Sequence, residues 1–273
     1  MKFALCNEMF EQMPWPQALE ISASLGYTGW ELAPFTLGDA PTALSAQRRA
    51  EIREAIHSAG LEVVGLHWLL AKTSGFHLTT RDGETRRRTS EYLADLARLC
   101  RDLDGHVMVL GSPQQRNFPA DMTHDEAQHN ARQVIEAIVP TLEACQVVLA
   151  LEPLGPSEGN FWNHAADAVE LIEQIQSPWV QLHLDCKAMS SEGEPLDEII
   201  RRNAKYLAHF HANDPNLLGP GMGELDIVPV FRALQEIGYD RWVSVEVFDY
   251  APGVVEIARQ SMANMQAALQ QLS

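Results

Sequence analysis

Basic side chains are in short supply. The 273-residue sequence has 20 Lys and Arg against 37 Asp and Glu, a formal net charge of −17. A phosphate backbone is held by clustered Lys and Arg, so a nucleic-acid partner is disfavoured. The basic run Thr85 to Arg88 (TRRR) opens a polar helical pattern and reads as a solvated face. Cysteines are few: Cys6, Cys100, Cys145 and Cys186 lie far apart with no CxxC pair. That sets aside a secreted disulfide framework and leaves free thiols in a reducing compartment. No apolar run is long enough to span a bilayer, and MKFALCNEMFEQMPW carries no small-residue cleavage site, so the expectation is a cytoplasmic protein with no membrane partner. Glycine is missing where an open doubly wound sheet would need it, since CNEMFEQMP, beginning at Cys6, offers no dinucleotide or phosphate loop. The later GPGMGELD, Gly219 to Asp226, matches GxGxxG only loosely, and its glycines are expected to let the chain turn closely above a site.

What the sequence does have is alternation. Short β-rich runs fall at Phe3–Asn7, Thr28–Ala33, Leu61–Trp68, His106–Gly111, Val147–Glu152, Val180–Asp185, Tyr206–Asn213 and Trp242–Phe248. Amphipathic helical patterns such as LSAQRRAEIREAIHSAG and HDEAQHNARQVIEAIVPTLEAC separate them, several ending in a glycine suited to a left-handed cap. A last helix is expected at Val255 to Leu272. Eight strand-then-helix units with no linker and no shift in composition predict an α/β fold, one (β/α)8 TIM barrel spanning residues 1–273.

In such a barrel the active site lies at the C-terminal ends of the strands. Four consecutive strands end in a polar residue: Glu152 in VVLALEP, Asp185 in VQLHLD, His211 in YLAHFHAND and Glu246 in WVSVEVF. They are spaced by about one strand–helix unit, so they can converge on one rim. Three carboxylates in one pocket repel strongly unless a cation neutralises them. A carboxylate-rich set with one imidazole suits Mn2+, Mg2+ or Co2+ better than a structural zinc. His183, two residues before Asp185, is expected one layer deeper as a satisfied core or supporting histidine. Glu158, in the loop after the fifth strand, is a candidate for a substrate hydroxyl. Glu31 in GWELAP and His67 in GLHWLL are weaker candidates for holding substrate. Trp15, Trp68, Trp162 and Phe248 are candidate walls of the pocket.

At these residues the chain resembles the sugar isomerase/epimerase superfamily of xylose isomerase-like barrels, and especially the ketose 3-epimerases. The resemblance runs over the whole chain and rests on LEP with Glu152, LHLD with Asp185, HFHANDP with His211, GPGMGELD, and WVSVEVF with Glu246. It implies that these four residues bind one divalent ion, Mn2+ first, and that Glu152 and Glu246 also move the protons. It supports Glu158 as a substrate contact, and it implies a dimer or tetramer. Two departures stand out. The histidine such enzymes place three residues after the metal-binding Asp is Ala188 here, and the seventh-strand loop has Leu217 and Leu218 where relatives place an arginine. Lys187 is the candidate to take over one of these contacts.

The favoured function is therefore a metal-dependent isomerase or epimerase of a keto sugar, a small-molecule substrate. The alternative is a lyase or dehydratase on the same barrel, because an enediolate can expel a β-hydroxyl instead of being reprotonated. A multi-zinc phosphodiesterase would need further His and Asp ligands that are missing. The loops NDPNLLGPGMGE and DYAPG contain no Lys or Arg, which favours a substrate without phosphate, and Arg116 is the one rim cation that would contradict this.

Overall fold

The computed structural model describes residues 1–272. Eight parallel strands close into a barrel in sequence order: β1 (Lys2–Cys6), β2 (Gly29–Leu32), β3 (Glu62–Leu66), β4 (Val107–Leu110), β5 (Val148–Leu151), β6 (Val180–Asp185), β7 (Leu207–Ala212) and β8 (Trp242–Val245). The eight expected runs are the eight strands, most of them trimmed by a residue or two at their ends. The chain is thus a TIM barrel.

The helices form where capping and apolar spacing coincide. Helix α1 (Trp15–Ser24) follows β1 and α2 (Ala46–Ser58) follows β2. Helix α3 (Gly83–Asp102) starts at Asp82, whose carboxylate accepts from the backbone N–H of Glu84 and Thr85. It buries Leu93, Leu96, Ala97 and Cys100, the i, i+3, i+4, i+7 stripe of a core-facing helix. The basic run lies on its other face, where Arg87 pairs with Glu84 and Glu91. Helix α4 (His124–Cys145) is capped by Thr123 and packs against α3, and α5 (Ala165–Ile175) follows β5. A short turn α6 (Cys186–Met189) and α7 (Leu196–Arg202) follow β6, and α8 (Val228–Glu236) and α9 (Val254–Gln270) complete the ring. Gly60 and Gly238 take positive φ just beyond α2 and α8, as glycine caps do, whereas α4 and α5 end on left-handed Gln146 and Gln176. All four cysteines are buried and free. Among the described residues no helix is long and apolar enough to cross a membrane.

Register carries the fold to the site. Asp185 pairs with His211 across β6 and β7, and Ala212 pairs with Val245 across β7 and β8, so Glu246 follows one residue past the end of β8. Glu152 likewise stands one residue past β5. The barrel tolerates no side chain at Gly65, where a Cβ would collide with the Val107 carbonyl oxygen of the neighbouring strand. Gly65→Ala should therefore cost about 3 kcal/mol or more of folding stability, because backbone and not a mobile side chain must yield. Urea unfolding monitored by circular dichroism checks this.

Candidate active site and metal centre

One ligand atom from each of Glu152, Asp185, His211 and Glu246 lies within 4.8 Å of the other three, and all four residues are buried. The structure thus brings together the four residues expected to meet. Burial, then the charges of Glu246 and Asp185, push the Glu152 carboxyl well above the usual carboxylate range. Burial and Glu246 likewise push Asp185 up to about 6. Glu246 goes the other way: burial alone would raise it, but the charge and hydrogen bond of His211 hold it below its ordinary value. Asp185 is fixed by Ala188 N–H, which donates to Oδ1 at 2.8 Å, and by Asn213 Nδ2, which donates to Oδ2 at 2.5 Å. His211 stands between two carboxylates, with Nδ1 3.2 Å from Glu246 Oε2 and Nε2 3.1 Å from Glu31 Oε1. A carboxylate can only accept, so Glu31 and Glu246 each favour a proton on the ring nitrogen they face, and Nδ1, on the side of Glu246, is the nitrogen that would give up its proton to serve as a ligand. Three buried acids with one imidazole suit a hard divalent cation.

Glu152 and Glu246 also line a cavity of about 440 Å³, with Trp68, Ser112, Glu158 and Phe248 among its other walls. Trp68 donates its indole N–H to Glu246 Oε1 at 2.6 Å and stacks on Phe248, ring centroids 6.0 Å apart and planes 15° from parallel. Its backbone φ of 51° is unusual for a bulky residue, a conformation held by these contacts. Of the four candidate aromatic walls, Trp68 and Phe248 line this cavity. Trp162 is wholly buried and donates to Gln128 Oε1 at 2.9 Å, while Trp15 packs on the core around α1.

Three candidates sit deeper than expected. Glu31 is fully buried and engages both histidines of β7, with Oε2 2.7 Å from His209 Nε2 and Oε1 on His211, so it orients the imidazole from behind and does not face the cavity. Burial alone would raise its carboxyl, but His209 and His211 hold it well below the usual range. His67 is also fully buried, with Nε2 2.7 Å from Glu8 Oε2. Arg116 is no rim cation: it is 1% exposed, donates Nη1 to the Glu152 carbonyl at 2.6 Å, and lies over the Trp162 ring. Burial pulls its guanidinium down to about 10. It braces the backbone that carries Glu152. His183 is buried as expected but not satisfied, since neither ring nitrogen has a hydrogen-bond partner. Its Nε2 lies 3.6 Å from Glu152 Oε1, and burial followed by the neighbouring His211 and His209 drives its pKa well below the ordinary value.

Lys187 and Glu158 meet each other at 2.8 Å, and the Lys187 ammonium lies 4.3 Å over the Phe248 ring. Burial alone would lower the Lys187 pKa, but Asp185 and then Glu158 raise it, so it is a cation at the cavity wall. The glycines of GPGMGELD do turn tightly, but around Asp214, whose carboxylate accepts from Gly223 and Leu225 N–H, and against α9. They do not overhang the carboxylates. Sequence reasoning missed Glu8, Asn213 and His209. Glu8 is buried beside His67, with Oε1 unpartnered, and its carboxylate comes within 4.8 Å of that of Glu246. The signal was present: Glu8 follows the end of β1, just as Glu152 follows β5.

A sequence profile of the xylose isomerase-like TIM barrel family matches residues 19–268, and the chain belongs to this family. A D-psicose 3-epimerase from Enterocloster bolteae is 28% identical over 237 residues, 85% of this chain and 76% of that protein. A 3-dehydro-D-guloside 4-epimerase from Escherichia coli is 30% identical over 116 residues, 42% of this chain and 44% of that one. The crystal structure of D-psicose 3-epimerase with D-tagatose from Clostridium cellulolyticum H10 superposes with a TM-score of 0.85 at 21% identity, covering 99% of both chains, and so supports the fold. With such relatives the chain is an enzyme, a sugar isomerase/epimerase.

Gly111, at the end of β4, shows how tightly the site is built, because a Cβ there would collide with Glu152 Oε2. Here a side-chain tip and not backbone must give way. Gly111→Ala should therefore fold normally, with an unchanged melting temperature, yet lose about 100-fold in kcat through misplacement of Glu152. Thermal melts paired with turnover measurements check both halves.

Proposed function

We propose that the protein is a divalent-metal-dependent epimerase of a keto sugar without phosphate, inverting the carbon next to the carbonyl by removing and returning its proton. The observation that carries this reading is the convergence of four donors with mutual separations within 4.8 Å, two of them also lining a sugar-sized cavity. Glu152, Asp185, His211 Nδ1 and Glu246 would hold the ion, Mn2+ first and Mg2+ or Co2+ as alternatives. A bound ion supplies positive charge beside the substrate oxygens, where negative charge builds up as the enediolate forms.

The chain's own groups do the rest. Glu152 and Glu246 belong to strands separated by β6 and β7, so their carboxyls approach the reacting carbon from different sides. Their environments push their affinities for protons apart, Glu152 up and Glu246 down. This supports Glu246 as the base that takes the proton and Glu152 as the acid that returns one, with the roles exchanged in the reverse reaction. Trp68, by donating to Glu246 Oε1, fixes the plane of that carboxylate. Phe248 and Trp68 cover the reacting centre and limit water. The cations nearest the cavity are already paired, Lys72 with Glu11 at 3.0 Å and Lys187 with Glu158, which fits a substrate without phosphate. The named epimerase activities of the relatives support the same reaction class. Four buried free thiols fit a cytoplasmic setting.

Incubation with ketohexoses in D2O, with and without prior chelation, tests this. Deuterium should enter next to the carbonyl only with added metal, and Glu152→Gln and Glu246→Gln should each lower the rate by about 100-fold or more. Exchange that persists after exhaustive chelation would refute the metal requirement. Glu31→Gln should weaken metal affinity by about 10- to 100-fold without touching substrate, because the His211 imidazole loses its orienting carboxylate; calorimetric titration of the chelated protein with Mn2+ reads this. Binding requires ionised carboxylates, and Asp185 is pushed up to about 6. Glu152 is pushed well above its ordinary value as well, so metal affinity should rise with pH from about 5 to 8, by up to about tenfold per pH unit for each proton the ion must displace. Titrations from pH 5 to 8 check the sign.

A further inference from the structure

A second cavity, of about 470 Å³, adjoins the first. Glu158 and Phe248 line both, so the two meet along one wall, the place where Lys187 bridges Glu158 and Phe248. Each is the size of a site for a whole small ligand. One keto sugar beside Glu152 and Glu246 leaves the outer cavity unfilled.

The outer cavity is amphipathic. Its apolar side is Pro215, Leu217 and Phe248, and its polar side includes Ser190 and Ser191. Both serine hydroxyls already donate to helix carbonyls, Ser190 to Cys186 O at 2.8 Å and Ser191 to Ala188 O at 2.7 Å, so their oxygens are left as acceptors. Leu217 is 42% exposed and has a φ of 73°, a left-handed conformation that a leucine rarely adopts. Three backbone bonds pin it there: its N–H donates to Asp214 O at 2.9 Å, and its carbonyl accepts from Phe248 and Asp249 N–H at 2.9 and 3.0 Å. The loop thus spends strain to hold an apolar side chain at the mouth of the cavity. Apolar contacts and hydroxyl-accepting oxygens in one cavity match a pyranose ring, which presents C–H faces and O–H donors at its edge.

We infer that the outer cavity is a subsite for a second sugar, and that the substrate is a glycoside whose keto-bearing ring sits beside Glu152 and Glu246. This rests on the epimerase reading and adds the size and linkage of the substrate. Leu217, Ser190 and Ser191 are the residues that select it.

Three probes differing only outside the reacting ring, or in lacking the linkage altogether, test it: a disaccharide with a 3-keto non-reducing glucose unit, methyl 3-keto-glucoside, and free D-psicose. Proton exchange in D2O is followed by NMR on the metal-loaded enzyme. The disaccharide should exceed the methyl glycoside by about tenfold or more in kcat/KM. Leu217→Asn, a residue that accepts positive φ and so spares the loop, should shrink that ratio by about fivefold. Equal kcat/KM for the disaccharide and the methyl glycoside, a preference for D-psicose, or a ratio that Leu217→Asn leaves unchanged each overturns the subsite while leaving the epimerase reading intact. No exchange with any probe overturns both.

Discussion

Three carboxylates, Glu152, Asp185 and Glu246, are packed into one buried pocket with a single imidazole among them. Like charges this close cannot all remain ionised without a counter-charge, and burial first, then this repulsion, pushes Glu152 and Asp185 up. Much of the neighbouring structure serves to keep the conflict in place. Arg116 clamps the Glu152 backbone, Gly111 leaves room for its carboxylate, and Asn213 with the Ala188 N–H locks Asp185. The cation of the proposed function is the counter-charge that would relieve this conflict.

Against the inner side of the pocket lies a further layer of histidines and carboxylates. Glu31 ties His209 to His211, and Glu8 ties down His67. This layer sets the ring plane of His211 and turns its Nδ1 towards Glu246, much as an outer carboxylate tunes a metal-ligating imidazole. Above the pocket, Trp68 and Phe248 close over the carboxylates, and the Lys187–Glu158 pair divides the space beyond. In the proposed function, chemistry, orientation and substrate selection would occupy successive levels along the barrel axis.

The fold was legible because a barrel repeats its signal eight times, and a strand misjudged by two residues still falls in the right place. The four central residues were legible for a related reason: strand ends share one rim, so Glu152, Asp185, His211 and Glu246 could be placed together without knowing a single distance. Depth was not legible. Glu31 and His67 also come at strand ends, yet a barrel stacks inward-facing side chains in layers, and linear position does not tell which layer a long side chain occupies. Arg116 looked like a rim cation because arginine is seldom buried; its burial depends on the Glu152 carbonyl and the Trp162 ring, partners supplied by other strands. Glu8 escaped because it follows the strand in a turn of 3-10 helix, among apolar residues that read as core. Ala188 in place of a histidine was plain in the sequence, but the position of Lys187 against Glu158 and Phe248 needed three-dimensional contacts to appear.

The most direct measurement is anomalous diffraction from crystals soaked in Mn2+ after chelation. The account predicts one strong manganese peak bonded to Glu152, Asp185, Glu246 and the Nδ1 atom of His211, with Nε2 still facing Glu31. No peak among these four residues, or one seated instead between Cys6, Glu31 and His67, would contradict it.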